Sequence, residues 1–319
     1  MPEGTVDHSP IPVGGAAVVS TAETVPSAEA LGLEEQGLSQ RALAWRRFRR
    51  HKLAMVSLVV LALLALSAIL APVIAPYGFS EQHLDQILQG PGAKHWIGTD
   101  TLGRDELTRL LYGGRVSLLV GLGVALSTGV LGTLIGASAG FYGGRLDNIV
   151  MRVTDLFLAI PLLVILIVAS RVTGGGVLDI VMWLSLFLWM FLARIVRGVF
   201  LSLKEKEFVE AARSVGASNS RIIFRHLLPN ALGVIIVNVT LVVAQAILLE
   251  SLLSFLGFGI QPPTPSWGNM LQDGRGLMTV AGWLVWFPGL AILLTILCVN
   301  FLGDGLRDAL DPTQRRVRA

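Results

Sequence analysis

Six stretches of this chain run for bilayer-like lengths with little or no charge, and the charged residues gather between them. They cover about residues 53–75, 116–139, 149–170, 178–195, 231–258 and 280–302. An α-helix rises 1.5 Å per residue, so about 20 apolar residues cross a hydrocarbon core ~30 Å thick. A helix also pairs its own backbone N–H and C=O groups, which lipid cannot do for it. Pro161 is placed to kink the third stretch, and Asp179 and Arg194 bound the fourth. The fifth contains Asn238, Gln245 and Glu250, and the sixth contains Pro288. The pattern predicts an all-α integral membrane protein with six transmembrane helices.

Composition agrees with the pattern. Of 319 residues, 53% are hydrophobic and only 15% charged, with a net charge of +3. Soluble domains carry about 25% charged residues. The basic residues stand at the ends of apolar runs, so they set topology and do not mark a nucleic-acid surface. Arg41, Arg46, Arg47, Arg49, Arg50 and Lys52 precede the first run. Arg197, Lys204, Lys206, Arg213, Arg221 and Arg225 follow the fourth, and Arg307, Arg315, Arg316 and Arg318 follow the sixth. The connectors after the third and fifth runs hold one arginine each, Arg171 and Arg275. The positive-inside rule then places both termini and the fourth connector in the cytosol.

Residues 1–40 are rich in Pro, Gly, Ala, Ser and Glu and read as a disordered cytosolic tail without a signal-peptide core. Residues 41–52, with Trp45 and Phe48, predict a basic interfacial helix, or alternatively ordinary positive flanking. Residues 53–112 hold the first span and an extracytoplasmic segment, 113–303 the core, and 304–319 a cytosolic tail. Within the extracytoplasmic segment, 105–112 suggests an amphipathic helix carrying Leu107, Leu110 and Leu111. The lone Cys298 falls in an apolar run and excludes an intrachain disulfide.

Gly132, Gly136 and Gly140 recur every four residues, as do Gly121, Ala125 and Gly129, which suits close helix crossings. Glu250 lies well inside the fifth run, where a carboxylate must pair, protonate or face water. It is a candidate for the translocation pathway or for an internal ion pair.

The fourth connector is the richest in signals. About 203–214 reads as a helix with an apolar stripe of Phe208, Ala211, Ala212 and Val215. Gly216 suits the left-handed position beyond it, Ser218 can cap a second helix, and Pro229 is expected to end that helix. By itself this predicts a helical hairpin, either merely joining two spans or presented to a partner. A DNA-binding reading is disfavoured by the flanking spans and nearby acids.

The spacing Glu210, Ala211, Ala212 and Gly216, followed by Leu228 and Pro229, resembles the EAA loop of ABC-importer permeases. Residues 95–100 with Gly103, Arg104 and Asp105, then 207–210, then 253–259, are similar to the C-type permease of dipeptide, oligopeptide and nickel importers. His226 stands where an apolar residue is usual, a departure pointing to that same branch. The resemblance covers about 46–312 and implies a type I importer permease. In that family the loop docks on an ATP-binding subunit, here through Phe208, Val209, Glu210, Ala211, Ala212, Gly216 and Pro229.

The resemblance further implies a second homologous permease, two ATP-binding subunits and an extracytoplasmic substrate-binding protein. The chain has no phosphate-binding G-x-x-x-x-G-K-[ST] loop and no ligand-spaced Cys/His cluster. A non-catalytic subunit without cofactor is therefore expected, with peptides as cargo and nickel or a related solute as the alternative. A self-contained, ion-coupled transporter using Glu250 and Asp155 is the reading from a different class.

Overall fold

The computed structural model describes residues 40–310, so the expected N-terminal tail and most of the expected C-terminal tail lie outside them. Among the described residues all regular structure is helical. In chain order it comprises α1 (Gln40–Arg50), α2 (Lys52–Ile69), α3 (Ala71–Ile74), α4 (Glu106–Tyr142), α5 (Gly144–Leu158) and α6 (Leu162–Thr173). There follow α7 (Val177–Leu203), α8 (Glu207–Ser214), α9 (Asn219–Arg221), a π-helical turn (Ile222–Leu227), α10 (Leu228–Phe255), α11 (Trp267–Gly274) and α12 (Trp283–Leu310).

Five helical stretches are long and apolar enough to cross a membrane, and a sixth would have to be the bent pair α5–α6. That pair departs from the expected third span. The two helices meet at 83°, and at 15 and 12 residues neither reaches across a bilayer alone. The break falls at Pro161, whose ring pushes the preceding Ile160 out of helical geometry. Two arginines on α7 hold α5 in place. Arg197 makes a bidentate pair with Asp147, and Arg194 donates to Asp155 at 2.5 Å. These partners also explain why α7 continues past Arg194, where its uncharged run ends: the charges are matched and the helix need not stop.

The central element is α4. Its 37 residues extend for about 55 Å, more than a hydrocarbon core requires. The expected separate helix at 105–112 is instead its first turns, capped by Asp105, which accepts from the Thr108 N–H at 2.8 Å. Both rows of small residues are packing seams. A Cβ on Gly132 would lie 3.0 Å from the Trp189 carbonyl, one on Gly136 2.9 Å from Ala193 Cα, and one on Gly140 2.8 Å from the Arg197 carbonyl. These α7 positions are themselves four apart, so the two backbones touch along matching ridges. The other row meets α10, where a Cβ on Gly121 would lie 2.7 Å from Ile247 Cγ1 and one on Gly129 3.1 Å from Val239 Cγ2. Around the bundle, exposed Leu63, Val73, Leu126, Val168 and Leu178 form an apolar exterior suited to lipid.

The first and last long helices meet at their charged ends. Phe48 of α1, Ala54 of α2 and Ala309 of α12 form one buried cluster, and Trp45 stacks on Phe48 at 5.9 Å while staying exposed. Helix α12 runs to Leu310, beyond the expected boundary at 303.

Residues 77–105 form an ordered polar knot at the N-terminal end of α4. His95 bridges Asp105 and Gln86, each at 2.8 Å. Asp100 is fully buried, holds Arg104 Nε at 2.5 Å and accepts the Leu102 and Arg104 N–H groups. Arg104 and Arg109 reach Asp273 of α11 at 3.3 and 3.1 Å. Burial pushes the Asp273 carboxyl above its usual range, opposed by the Arg109 and Arg104 charges. The Trp283 indole donates to the Thr99 carbonyl, tying the knot to α12.

Two outcomes follow from this packing. Gly136→Leu should force α4 from α7 and sharply lower the yield of folded protein in detergent, since overpacking a close crossing costs about 1–3 kcal/mol or more. Gly198→Leu, where a Cβ meets no atom within 4 Å, should not. Asp100→Ala should lower the thermal unfolding temperature more than Asp273→Asn. It removes the nearest carboxylate from buried Arg104 and strands two N–H groups, a loss of about 3–5 kcal/mol, whereas Asp273 is partly solvated.

Candidate functional site

The connector between α7 and α10 folds as a compact hairpin. Helix α8 begins at Glu207, later than the expected 203, because the chain turns at 204–206. Gly216 has φ +77 and closes α8 in a Schellman arrangement: its N–H reaches the Arg213 carbonyl at 2.9 Å and the Ala217 N–H reaches the Ala212 carbonyl at 3.0 Å. Ser218 caps the following helix by accepting from the Arg221 N–H at 3.4 Å.

Pro229 does not end that helix. The chain stays helical from Asn219 to Phe255, with Pro229 in the first turn of α10. Proline lacks the N–H that would bond the Arg225 carbonyl, and its ring crowds that oxygen. The turn before it widens to π geometry, with the Leu228 N–H reaching back five residues to Ile223.

The expected apolar stripe on α8 splits into two faces. Val209 and Ala212, three apart, are buried in a cluster with Ala137 and Phe141 of α4, Phe200 of α7 and Ile222 and Leu227 of the π turn. Phe208, Ala211 and Val215 face outward, Val215 at 85% exposure, and Glu210 is exposed beside them. Gly216 and Pro229 are also exposed. Thus α8 is fastened by one apolar face and offers a second, with a carboxylate, to whatever lies beyond. The Arg213 guanidinium sits 5.9 Å from the Phe141 ring and adds a cation–π contact to the fastening.

Glu250 lies far from this hairpin along α10 and is fully buried. It makes no ion pair among the described residues; its partners are hydroxyls. Ser254 Oγ donates at 2.7 Å, Ser117 Oγ at 3.0 Å and Ser251 Oγ at 3.4 Å, and Ser266 faces the same carboxylate. The ion pair, one of the two expected roles, is replaced among the described residues by a cage of serines, and the carboxylate is fully buried. Asp155, the other relay candidate, is paired with Arg194. Sequence reasoning missed the cage because two of its four members come from elements remote in sequence, Ser117 from α4 and Ser266 from the cap of α11. The local S-x-x-S spacing of Ser251 and Ser254 beside Glu250 was the available signal. It also missed the Asp100, Arg104, Arg109 and Asp273 network, hinted at only by the dense charge of 100–109.

An apolar groove of about 450 Å³ lies between α4 and α5, lined by residues including Leu134, Ile149, Val153 and Trp189. It has no charged lining residue. No group of three or more His, Cys, Asp or Glu side chains suited to a metal occurs among the described residues.

Residues 132–316 match the family described as binding-protein-dependent transport system inner membrane component, and 39–91 match the N-terminal TM domain of oligopeptide transport permease C. The dipeptide transport system permease protein DppC of Bacillus subtilis is 44% identical over 289 residues, 90% of each chain. The oligopeptide transport system permease protein OppC of Mycobacterium tuberculosis is 43% identical over 283 residues, 88% of this chain and 97% of its own. The glutathione transport system permease protein GsiD of Escherichia coli is 43% identical over 270 residues, 84% of this chain and 89% of its own. With a helical bundle of five to six candidate spans and matches at both its N-terminal and its core region, this chain belongs to the family of binding-protein-dependent transport system inner membrane components.

Proposed function

We propose that this chain is the C-type permease subunit of a peptide importer of the ABC class. It lines the translocation path together with a second, homologous permease and takes its driving force from two ATP-binding subunits docked at the α8 hairpin. The observation that carries the reading is the two-faced α8. Val209 and Ala212 seat it on the ends of α4 and α7, while Phe208, Ala211, Val215 and Glu210 are left for a partner. A push on the exposed face is passed to the spans through close-packed side chains, which compress little. The arginine distribution supports a cytosolic place for both termini and this hairpin, with the α11 end of α4 facing outside to receive a substrate-binding protein.

Relatives at 43–44% identity that are named for dipeptide, oligopeptide and glutathione transport support peptides as cargo. Selection among peptides then rests largely with the binding protein. The ion-coupled alternative is weakened by the geometry, since Asp155 is ion-paired and Glu250 is sealed among hydroxyls.

Glu210→Arg should reduce both co-purification of the ATP-binding subunits and peptide uptake, with the permease still inserted in the membrane. Phe208→Ala should do the same by roughly tenfold or more, the usual effect of removing an aromatic anchor from an interface. Val209→Ala, which thins the seat beneath α8, should lower uptake per ATP hydrolysed more than subunit recovery. Full uptake and normal subunit recovery in Glu210→Arg would reject the docking assignment.

A further inference from the structure

The hydrogen bonds around Glu250 run in one direction. The Trp267 N–H donates to Ser117 Oγ at 3.4 Å, and that hydroxyl donates to Glu250 at 3.0 Å. The Ile260 N–H donates to Ser254 Oγ at 3.1 Å, which donates to Glu250 at 2.7 Å. The Asn269 N–H donates to Ser266 Oγ at 3.3 Å, a third hydroxyl facing the carboxylate. A serine hydroxyl has one hydrogen, and an ionised carboxylate only accepts. Ser117 and Ser254, having given their hydrogens to Glu250, therefore keep their lone pairs for a backbone N–H. All three of those N–H groups belong to the loop 257–266 or to the first turn of α11.

The same loop is fitted without slack. Gly257 has φ +86 and closes α10, the Phe258 carbonyl is bonded by Ser170 of α6, and a Cβ on Gly268 would lie 2.6 Å from Ser251 Cα. Asn269 ties α11 back to the loop through the Ile260 and Thr264 carbonyls at 3.3 and 2.9 Å. The Trp267 indole donates to the Leu110 carbonyl of α4 at 3.1 Å. The loop's Gln261, Pro262 and Pro263 are exposed, so a fixed backbone presents a stiff polar edge.

We propose that Glu250 is the positioning residue of this edge. Through its serines the carboxylate registers the loop 257–266 and α11 on the ends of α4 and α10, and this register sets the surface offered to the extracytoplasmic binding protein. The clause on the binding protein rests on the importer reading; the positioning does not.

The test uses the full chain with Cys298→Ser and a reporter thiol, Thr264→Cys, on the partly buried stretch of the loop. The rate of maleimide labelling is measured in membranes without ATP, substrate or binding protein. Glu250→Gln places an amide donor against hydroxyls that already donate, so at least one relay breaks and labelling should rise about tenfold, as for the loss of a hydrogen bond to a charged group. Ser254→Ala, which frees the Ile260 N–H, should raise it as well.

Labelling at the parent rate in Glu250→Gln overturns the positioning role. If Glu250→Gln fails to accumulate, Ser254→Ala and Ser117→Ala decide the matter, and parent-like labelling in both overturns it. In the assembled transporter the ratio of binding-protein-stimulated to basal ATP hydrolysis should fall severalfold in Ser254→Ala. A normal ratio with raised labelling overturns the binding-protein clause and leaves the positioning in place. Absence of any stimulation in the parent transporter counts against the importer reading instead.

Discussion

The structure depends on how closely α4 approaches its neighbours. Inside a bilayer there is no hydrophobic gain in bringing two apolar helices together, so association rests on contact between complementary surfaces. Gly132, Gly136 and Gly140 lay α4 against the backbone of α7, and Gly121 and Gly129 lay it against side chains of α10. Because α4 is long, these seams also fix the relative height of everything attached to its two ends. Phe141 at one end joins the cluster that seats α8, and Ser117 and Arg109 near the other reach the Glu250 cage and Asp273.

Several charged groups of the protein are closed upon partners from another element. Arg194 and Arg197 fasten the amphipathic α5 to α7 through Asp155 and Asp147. Arg104 and Arg109 fasten α4 to α11 through Asp273. Glu250 does so with hydroxyls alone, two of which, Ser117 and Ser254, accept in turn from the Trp267 and Ile260 N–H groups. In a medium that leaves an unpaired polar group several kcal/mol less stable, such contacts select one arrangement of helices over its neighbours. Removing one partner therefore strands the other.

Much of this was legible along the chain. The apolar runs located five of the spans, although the helices run past the uncharged stretches by up to ten residues, as at the start of α4. The four-residue glycine rows identified the seams because their spacing matches the helix repeat. Gly216 was recognisable as the left-handed closure of α8, and Ser218 as a cap, since both are local devices. The failures were also physical. Pro161 suggested a kink, yet the 83° turn depends on the arginines of α7 that hold α5 aside. Pro229 suggested a helix end, but a π turn absorbed it. The stripe on α8 was assigned to one face because periodicity cannot say which apolar residues a distant helix will cover.

The sequence by itself determined the class of protein, the approximate place of five spans, the hairpin between the fourth and fifth apolar runs, and the family the chain resembles. These are written in composition, period and short motifs, where the information lies within one or two turns of helix. Only the tertiary structure decided the partners of Glu250, the knot around Asp100 and which face of α8 stays open. Those depend on residues up to 169 positions apart, as from Arg104 to Asp273. Their meeting is set by how α4, α7, α10 and α11 pack, and no local pattern encodes that register.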